Sequence, residues 1–219
     1  MDVTPEQVAA GHALYTKRFL AVYDLVVLWF SSRFAWQCPS SRILELYNEH
    51  VSGNHLDVGV GTGYFLNKCR FPVATPRIGL MDLSPNCLEV AGRRLSRYKP
   101  EVYRANVLEP TRIDAPKFDS VGMNYLLHCL PGTIRSKAVV FDHLKPLVNP
   151  GGVLFGATML HEGVEKNWLA RRLMKRLNAD GVFSNTSDDV DGLRWALSRH
   201  LSDPVVEIVG TAALFWGRT

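Results

Sequence analysis

Asp57, the glycines Gly59, Gly61 and Gly63, and a second acid at Asp82 are the residues of this 219-residue chain whose types and spacing could do chemistry. The stretch His55-Leu56-Asp57-Val58-Gly59-Val60-Gly61-Thr62-Gly63 reads as a short apolar strand running into a glycine turn. Glycines let the backbone turn tightly and approach a ligand with no Cβ in the way. A helix beginning just beyond such a turn offers free N–H groups to an electron-rich ligand. Several readings compete. A dinucleotide loop follows G-x-G-x-x-G, whose third glycine lets helix and strand pack closely. Here the pattern is G-x-G-x-G, and Asp57 stands where dinucleotide folds usually place an apolar residue. Its carboxylate would repel a phosphate. A P-loop needs G-x-x-x-x-G-K-[ST], and no Lys-Ser or Lys-Thr follows these glycines. An acid before the turn suits a cofactor with a cationic amino end and no phosphate, which describes S-adenosylmethionine (SAM). Taken alone, the motif also fits an ordinary turn between strand and helix.

Arg77-Ile78-Gly79-Leu80-Met81-Asp82-Leu83 is a second apolar run ending in an acid, 19 residues beyond Gly63. A carboxylate at the tip of the second strand can accept both ribose hydroxyls of a nucleoside. Ser84-Pro85-Asn86 then starts a helix, with Ser at the cap and Pro in the first turn. That helix is expected to run to about Tyr98, with Arg93, Arg94, Arg97 and Lys99 at its C-terminal end.

With these residues in place, the chain resembles the class I SAM-dependent methyltransferases of small, single-domain type. The resemblance extends through Val102 to Val107, Phe118 to Asn124 and Leu144 to Leu154, and covers about Leu44 to the C-terminus. It implies SAM as cofactor, S-adenosylhomocysteine as product and no metal. Asp57, Gly59, Gly61, Gly63, Asp82, Leu83, Asn106, Val107 and Asn124 become the expected cofactor contacts. Members often carry Asp where Asn106 stands, against the adenine amino group; Asn can accept that bond through its carbonyl oxygen. An N-terminal tyrosine often reaches the cofactor, and Tyr15 and Tyr23 are the candidates, with Asp24 marking a polar patch beside Tyr23.

The elements that must position these groups alternate. Strands near 55–60, 77–83, 102–107, 118–124 and 151–159, with helices between most of them, predict an α/β fold with a parallel sheet covered on both faces. Pro204 to Val209 and Ala212 to Trp216, split only by Gly210-Thr211, predict a final antiparallel hairpin. The resemblance implies a Rossmann-like, seven-stranded sheet with that reversed strand. We read 1–219 as one domain: residues 1–50 a helical lid over the open strand ends, and 160–202 a helical insertion before the last two strands. Trp29, Phe30, Phe34 and Trp36 could line an apolar acceptor pocket. In the insertion, Leu169, Leu173 and Leu177 share one helix face, with Arg171, Arg172, Lys175 and Arg176 around the other. That basic face suits solvent, or an acidic membrane surface or partner. Asp188, Asp189 and Asp191 lack a calcium-loop pattern and read as a helix N-terminus.

Composition sets outer limits. Apolar content of 47%, charge content of 21% and a net charge of +4 suit a globular protein and tolerate an anionic substrate. They do not supply the dense basic patch of a nucleic-acid binder. Cys38, Cys69, Cys87 and Cys129 form no C-x-x-C pair, so reduced thiols in a cytoplasmic protein are expected. No signal peptide is expected, and Phe19 to Trp36 carries too many charges to span a membrane. Nothing in the sequence separates a monomer from a homodimer.

The chemistry implied is in-line displacement of the sulfonium methyl by an O, N or C nucleophile of a small, apolar or aromatic molecule. His128, four residues past Asn124 at the mouth of the site, is the first choice of base. Tyr125 and His161 are lesser ones, and Tyr23 is assigned beside His128 as catalytic. The alternative is a SAM-fold protein catalysing a cyclisation or rearrangement, or only binding a ligand.

Overall fold

The computed structural model describes residues 16, 20, 23–111 and 113–219. Seven strands form one sheet in the order β3-β2-β1-β4-β5-β7-β6. They are β1 (Asn54–Val58), β2 (Arg77–Asp82), β3 (Glu101–Arg104), β4 (Phe118–Asn124), β5 (Val148–Met159), β6 (Ser202–Val209) and β7 (Ala212–Arg218). β1 to β5 pair in parallel, while β7 runs antiparallel to both β5 and β6. The expected Rossmann-like sheet with a reversed last strand is present. From β1 the chain winds outward to β3, then crosses back to β4 on the other side of β1. That reversal opens a crevice at the carboxyl ends of β1 and β4, where ligands of such sheets bind.

The central strands are buried on both faces, which is why they read as near-continuous apolar runs. One face is covered by α1 (Ser40–His50), α2 (Tyr64–Lys68), α3 (Pro85–Arg94) and α6 (Trp168–Ala179), through Leu46, Leu66, Ala91 and Met174. The other is covered by α4 (Ile134–Lys137), α5 (Val139–Leu144) and α7 (Val190–His200), through Ile134, Phe141, Leu193 and Leu197. At Gly79 in β2 a Cβ would stand 2.8 Å from the Phe118 ring, so only glycine lets these neighbours close.

Several boundaries differ from the sequence reading. The helix after Asp82 does begin with Ser84 as its cap, accepting from the Cys87 N–H, but ends at Arg94; a short turn follows at Ser96–Tyr98. Residues 105–107, expected in β3, lie in the loop beyond it. Within the 1–50 segment read as a lid, the described residues take two places. α1 buries Ile43, Leu46 and Tyr47 against the sheet and belongs to its covering layer. Among the described N-terminal residues, the wide-turn helix Asp24–Ala35 is the element that meets the cleft at the strand ends. Tyr15 lies outside the described residues.

The insertion carries both expected helices, α6 and α7. Its three acids divide: Asp189 caps α7, accepting from the Gly192 N–H. Asp188 turns inward instead. Its Oδ2 lies 2.5 Å from Lys137 Nζ, which also donates to the Ser184 carbonyl at 2.6 Å, with both side chains fully buried. This pair pins the insertion to α4. Removing one member of such a pair strands a buried charge, at about 3–5 kcal/mol. Among the described residues no helix is long and apolar enough to cross a membrane, and no three His, Cys, Asp or Glu side chains group to hold a metal.

Candidate active site

A cleft of about 1060 Å³, counted with its open mouth, lies at the carboxyl ends of β1, β2 and β4. Asp57, Gly59, Gly61, Asp82, Leu83, Asn106, Val107 and Asn124 all line it, as does Tyr23. The two acids on which the sequence reading rests therefore open into one space.

Asp57 is nearly buried at the end of β1 and is held from behind. The Tyr47 hydroxyl donates to its Oδ2 at 2.6 Å, and His55 Nε2 stands 3.5 Å from the same oxygen. His55 Nδ1 is in turn 2.8 Å from Ser120 Oγ on β4. Burial, and then the Asp57 carboxylate beside it, push the Tyr47 hydroxyl well above the usual phenol range. It stays a donor. Tyr47 escaped the sequence reading because a tyrosine on the buried face of an amphipathic helix gives no signal beyond packing.

Asp82 sits where β2 ends. Its Oδ1 accepts from the Ser84 N–H at 2.8 Å and its Oδ2 from the Gly61 N–H at 3.3 Å, joining the strand tip to the glycine turn. The three glycines divide their labour. A Cβ at Gly61 would meet nothing within 4 Å, so this residue leaves the cleft wall open. Gly63 does not line the cleft. It faces α3, where a Cβ would stand 3.1 Å from that of Ala91, so its part is close helix packing rather than the expected cofactor contact.

Asn106 lines the cleft with its amide already engaged: Oδ1 accepts from the Leu108 N–H at 3.1 Å and Nδ2 donates to Glu109 at 2.8 Å. One lone pair of Oδ1 is left for a ligand. Asn124 differs. Both its amide atoms are buried without a well-formed hydrogen bond in the protein, the Tyr47 hydroxyl being the polar group they approach. A buried amide left short of well-formed bonds is costly, and one lining a cleft is placed to receive a polar ligand. Beside it Tyr125 holds φ at 58°, a left-handed conformation that costs a non-glycine residue energy and clusters at functional sites.

The helix Asp24–Ala35 is latched to this cleft. Thr62 Oγ1 in the glycine turn donates to Asp24 Oδ1 at 2.7 Å, and Arg94 of α3 pairs with Asp24 Oδ2 at 2.7 Å and reaches Thr62 Oγ1 at 3.1 Å. Tyr23 and Leu28 close the cleft from this side next to Tyr125, and Leu126, Cys129 and Leu130 also line it. The latch joins residues remote in sequence, which no local pattern announces.

His128 is corrected by its surroundings. It is 3% exposed, does not line the cleft and packs against Phe183 with ring centroids 4.4 Å apart. The Met159 N–H donates to its Nδ1 at 3.2 Å. Burial, reinforced by the Lys137 charge, lowers its pKa to about 3. A side chain so enclosed and so weakly basic is poorly placed to draw a proton from an acceptor in the cleft. Tyr125 fares no better, its hydroxyl held well above the phenol range by burial and then by Cys38. His161 lies outside the cleft lining, and burial lowers its pKa too. The expected aromatic pocket is also absent: Trp36 is buried against Phe183, while Trp29, Phe30 and Phe34 face outward.

Residues 56–154 match a family model described as a methyltransferase domain. The chain is 45% identical over 195 residues to demethylluteothin O-methyltransferase of Streptomyces thioluteus, covering 89% of this chain and 85% of that protein. It is 38% identical over 207 residues to the physcion biosynthesis cluster O-methyltransferase of Aspergillus chevalieri, covering 94% and 93%. Among solved structures, a DhpI complex with SAM superposes with a TM-score of 0.69 over the whole of both chains at 17% identity. The N-methyltransferase NodS of Bradyrhizobium japonicum, bound to S-adenosylhomocysteine, gives 0.64 over 96% and 98% at 16% identity. These likenesses at low identity show the shared fold, and the closer sequence relatives show the family. The chain belongs to the class I SAM-dependent methyltransferases.

Proposed function

We propose that this protein moves the methyl group of SAM to a hydroxyl oxygen of a small apolar or aromatic metabolite. The buried amide of Asn124, without a well-formed hydrogen bond in the protein and lining the same cleft as Asp57 and Asp82, is the observation that carries the reading. The donor set fits the cofactor's chemistry. Asp82 accepts from sugar hydroxyls, Leu83 and Val107 offer apolar walls to a base, and Asp57 and Asn124 meet the amino-acid end. Bound there, SAM supplies an electrophilic methyl carbon on a cationic sulfonium. The protein's part is to orient and to exclude water; a well-aligned pair is worth roughly 7–11 kcal/mol of barrier. Tyr23, Leu28, Tyr125 and Leu130 shape the acceptor side, with Tyr23 the residue placed to hydrogen-bond the acceptor. We read the chain as a single catalytic domain in which only 24–35, of the described N-terminal residues, serves as lid. Oxygen is preferred over nitrogen because the curated relatives named above are O-methyltransferases.

Incubation of the protein with SAM and a panel of phenols and enols tests this. A product heavier by one methyl, with S-adenosylhomocysteine formed in equal amount, is expected. SAM binding without any methylated product, across phenol, enol and amine panels, would favour the non-methylating alternative.

A further inference from the structure

The outer side of the helix Asp24–Ala35 exposes Trp29 at 58% and Phe30 and Phe34 each at 47%. Among the described residues their rings associate with one another, Phe34 lying 6.1 Å from Trp29 and 5.2 Å from Phe30 between centroids. Asn167 Nδ2 donates to the Phe34 carbonyl at 2.8 Å, which brings the start of α6 alongside this cluster. The first residue of α6, Trp168, is 74% exposed. Trp168, Arg171, Arg172 and Lys175 follow at the spacing of one helix face, and all four are exposed. The Asn167–Phe34 bond thus joins two elements that together expose four large aromatics and, counting Arg33, four cations. Among the described residues, the acids nearest to α6 in sequence do not neutralise these cations. Asp180 pairs with Arg176, and Glu162 and Glu165 lie in the preceding loop without bonding to any of the four.

Exposed aromatics in such number mark an interaction surface, and the cations beside them decide its partner. A second copy of this chain is disfavoured, since a two-fold contact brings the same patch to itself and would set Arg171, Arg172 and Lys175 against their own counterparts. An anionic bilayer fits both features. Tryptophan and phenylalanine settle at the level of the headgroups, and each nearby Lys or Arg gains from the negative surface potential. We infer that this aromatic–basic face docks the protein peripherally on an anionic lipid surface. The inner side of the same helix carries Tyr23 and Leu28 of the cleft, so docking sets the cleft mouth beside an apolar phase. Poorly soluble acceptors would enter from there.

The test is sedimentation of the full chain with vesicles, which needs no turnover and so stands apart from the assigned chemistry. Vesicles of phosphatidylcholine with about one-third phosphatidylserine should bind the protein, pure phosphatidylcholine should bind it weakly, and high salt should release it. Each surface cation contributes about fivefold to partitioning, so the double substitution Arg171→Glu with Arg172→Glu should weaken binding at least about 25-fold. Trp168→Ser, at a side chain too exposed to matter for folding, should weaken it as well. Circular dichroism melting checks that both variants stay folded. Equal partitioning to the two kinds of vesicle, no binding to either, or binding unchanged in the folded variants overturns the inference. So does a stable dimer in sedimentation velocity that Trp168→Ser dissociates.

Discussion

The β1–β3 side of the cleft draws on Asp57, Gly61, Asp82 and Leu83, each at or just beyond the end of a strand. The β4 side draws on Tyr23, Leu28, Tyr125, Cys129 and Leu130, which come from segments far apart in the chain. On the first side, position in sequence nearly fixes position in space. A strand carries its last side chain to the sheet edge, and the next few residues turn there. On the second, a residue's place depends on how a helix packs from elsewhere. Where function rests on local geometry a sequence announces it, and where it rests on assembly it does not.

The largest effect should come from the locally encoded side. Asp82→Ala removes the proposed sugar ligand and also the acceptor of the Gly61 and Ser84 N–H groups. Hydrogen bonds to a charged group contribute about 1.5–3 kcal/mol each, so two lost sugar contacts should weaken SAM binding by about 100-fold or more in titration calorimetry. Affinity within a few-fold of the parent would break the comparison, because the most legible residue would prove idle.

The same contrast explains what the sequence left hidden. The parallel sheet, its reversed last strand and the Ser84 cap all follow from short-range patterns: apolar runs, a two-residue link, a Ser-Pro pair. Gly63 was legible as a glycine but not in its role, since only the approach of Ala91 shows that it serves packing. Trp29, Phe30 and Phe34 share a helix with Leu28, and which of them turns inward depends on the wide-turn winding of 24–35. Asp188 reads like Asp189 in sequence, and Lys137, far back in the chain, is what draws it inside.

An intermediate effect is expected at the latch that joins the two sides. Asp24→Ala leaves Arg94 and Thr62 without their shared acceptor and loosens the helix that carries Tyr23. A partly exposed pair with one added hydrogen bond is worth about 1 kcal/mol. The acceptor's kcat/KM should therefore fall roughly fivefold, while SAM affinity shifts less than about threefold. The exchange Asp24→Arg with Arg94→Asp should restore part of the loss. An effect on SAM affinity as large as that on the acceptor would move this helix to the cofactor side.

The smallest effect on turnover belongs to His128, the residue local sequence made most attractive and packing removed. His128→Gln keeps an acceptor for the Met159 N–H, and kcat should stay within about threefold when assayed well below the melting temperature. The substitution should register in stability instead. The imidazole has a folded pKa of about 3, against about 6.5 in the unfolded chain. Between those values the unfolded state holds a proton that the folded state lacks, so His128 lowers stability progressively as pH falls through 6.5 toward 3. Above about pH 7 that cost vanishes. Urea unfolding should accordingly show the stability advantage of the parent over His128→Gln shrinking by about 1 kcal/mol between pH 7 and pH 5.5. A folded variant that loses tenfold or more in kcat, with a pH-independent stability difference, would return the imidazole to the reaction.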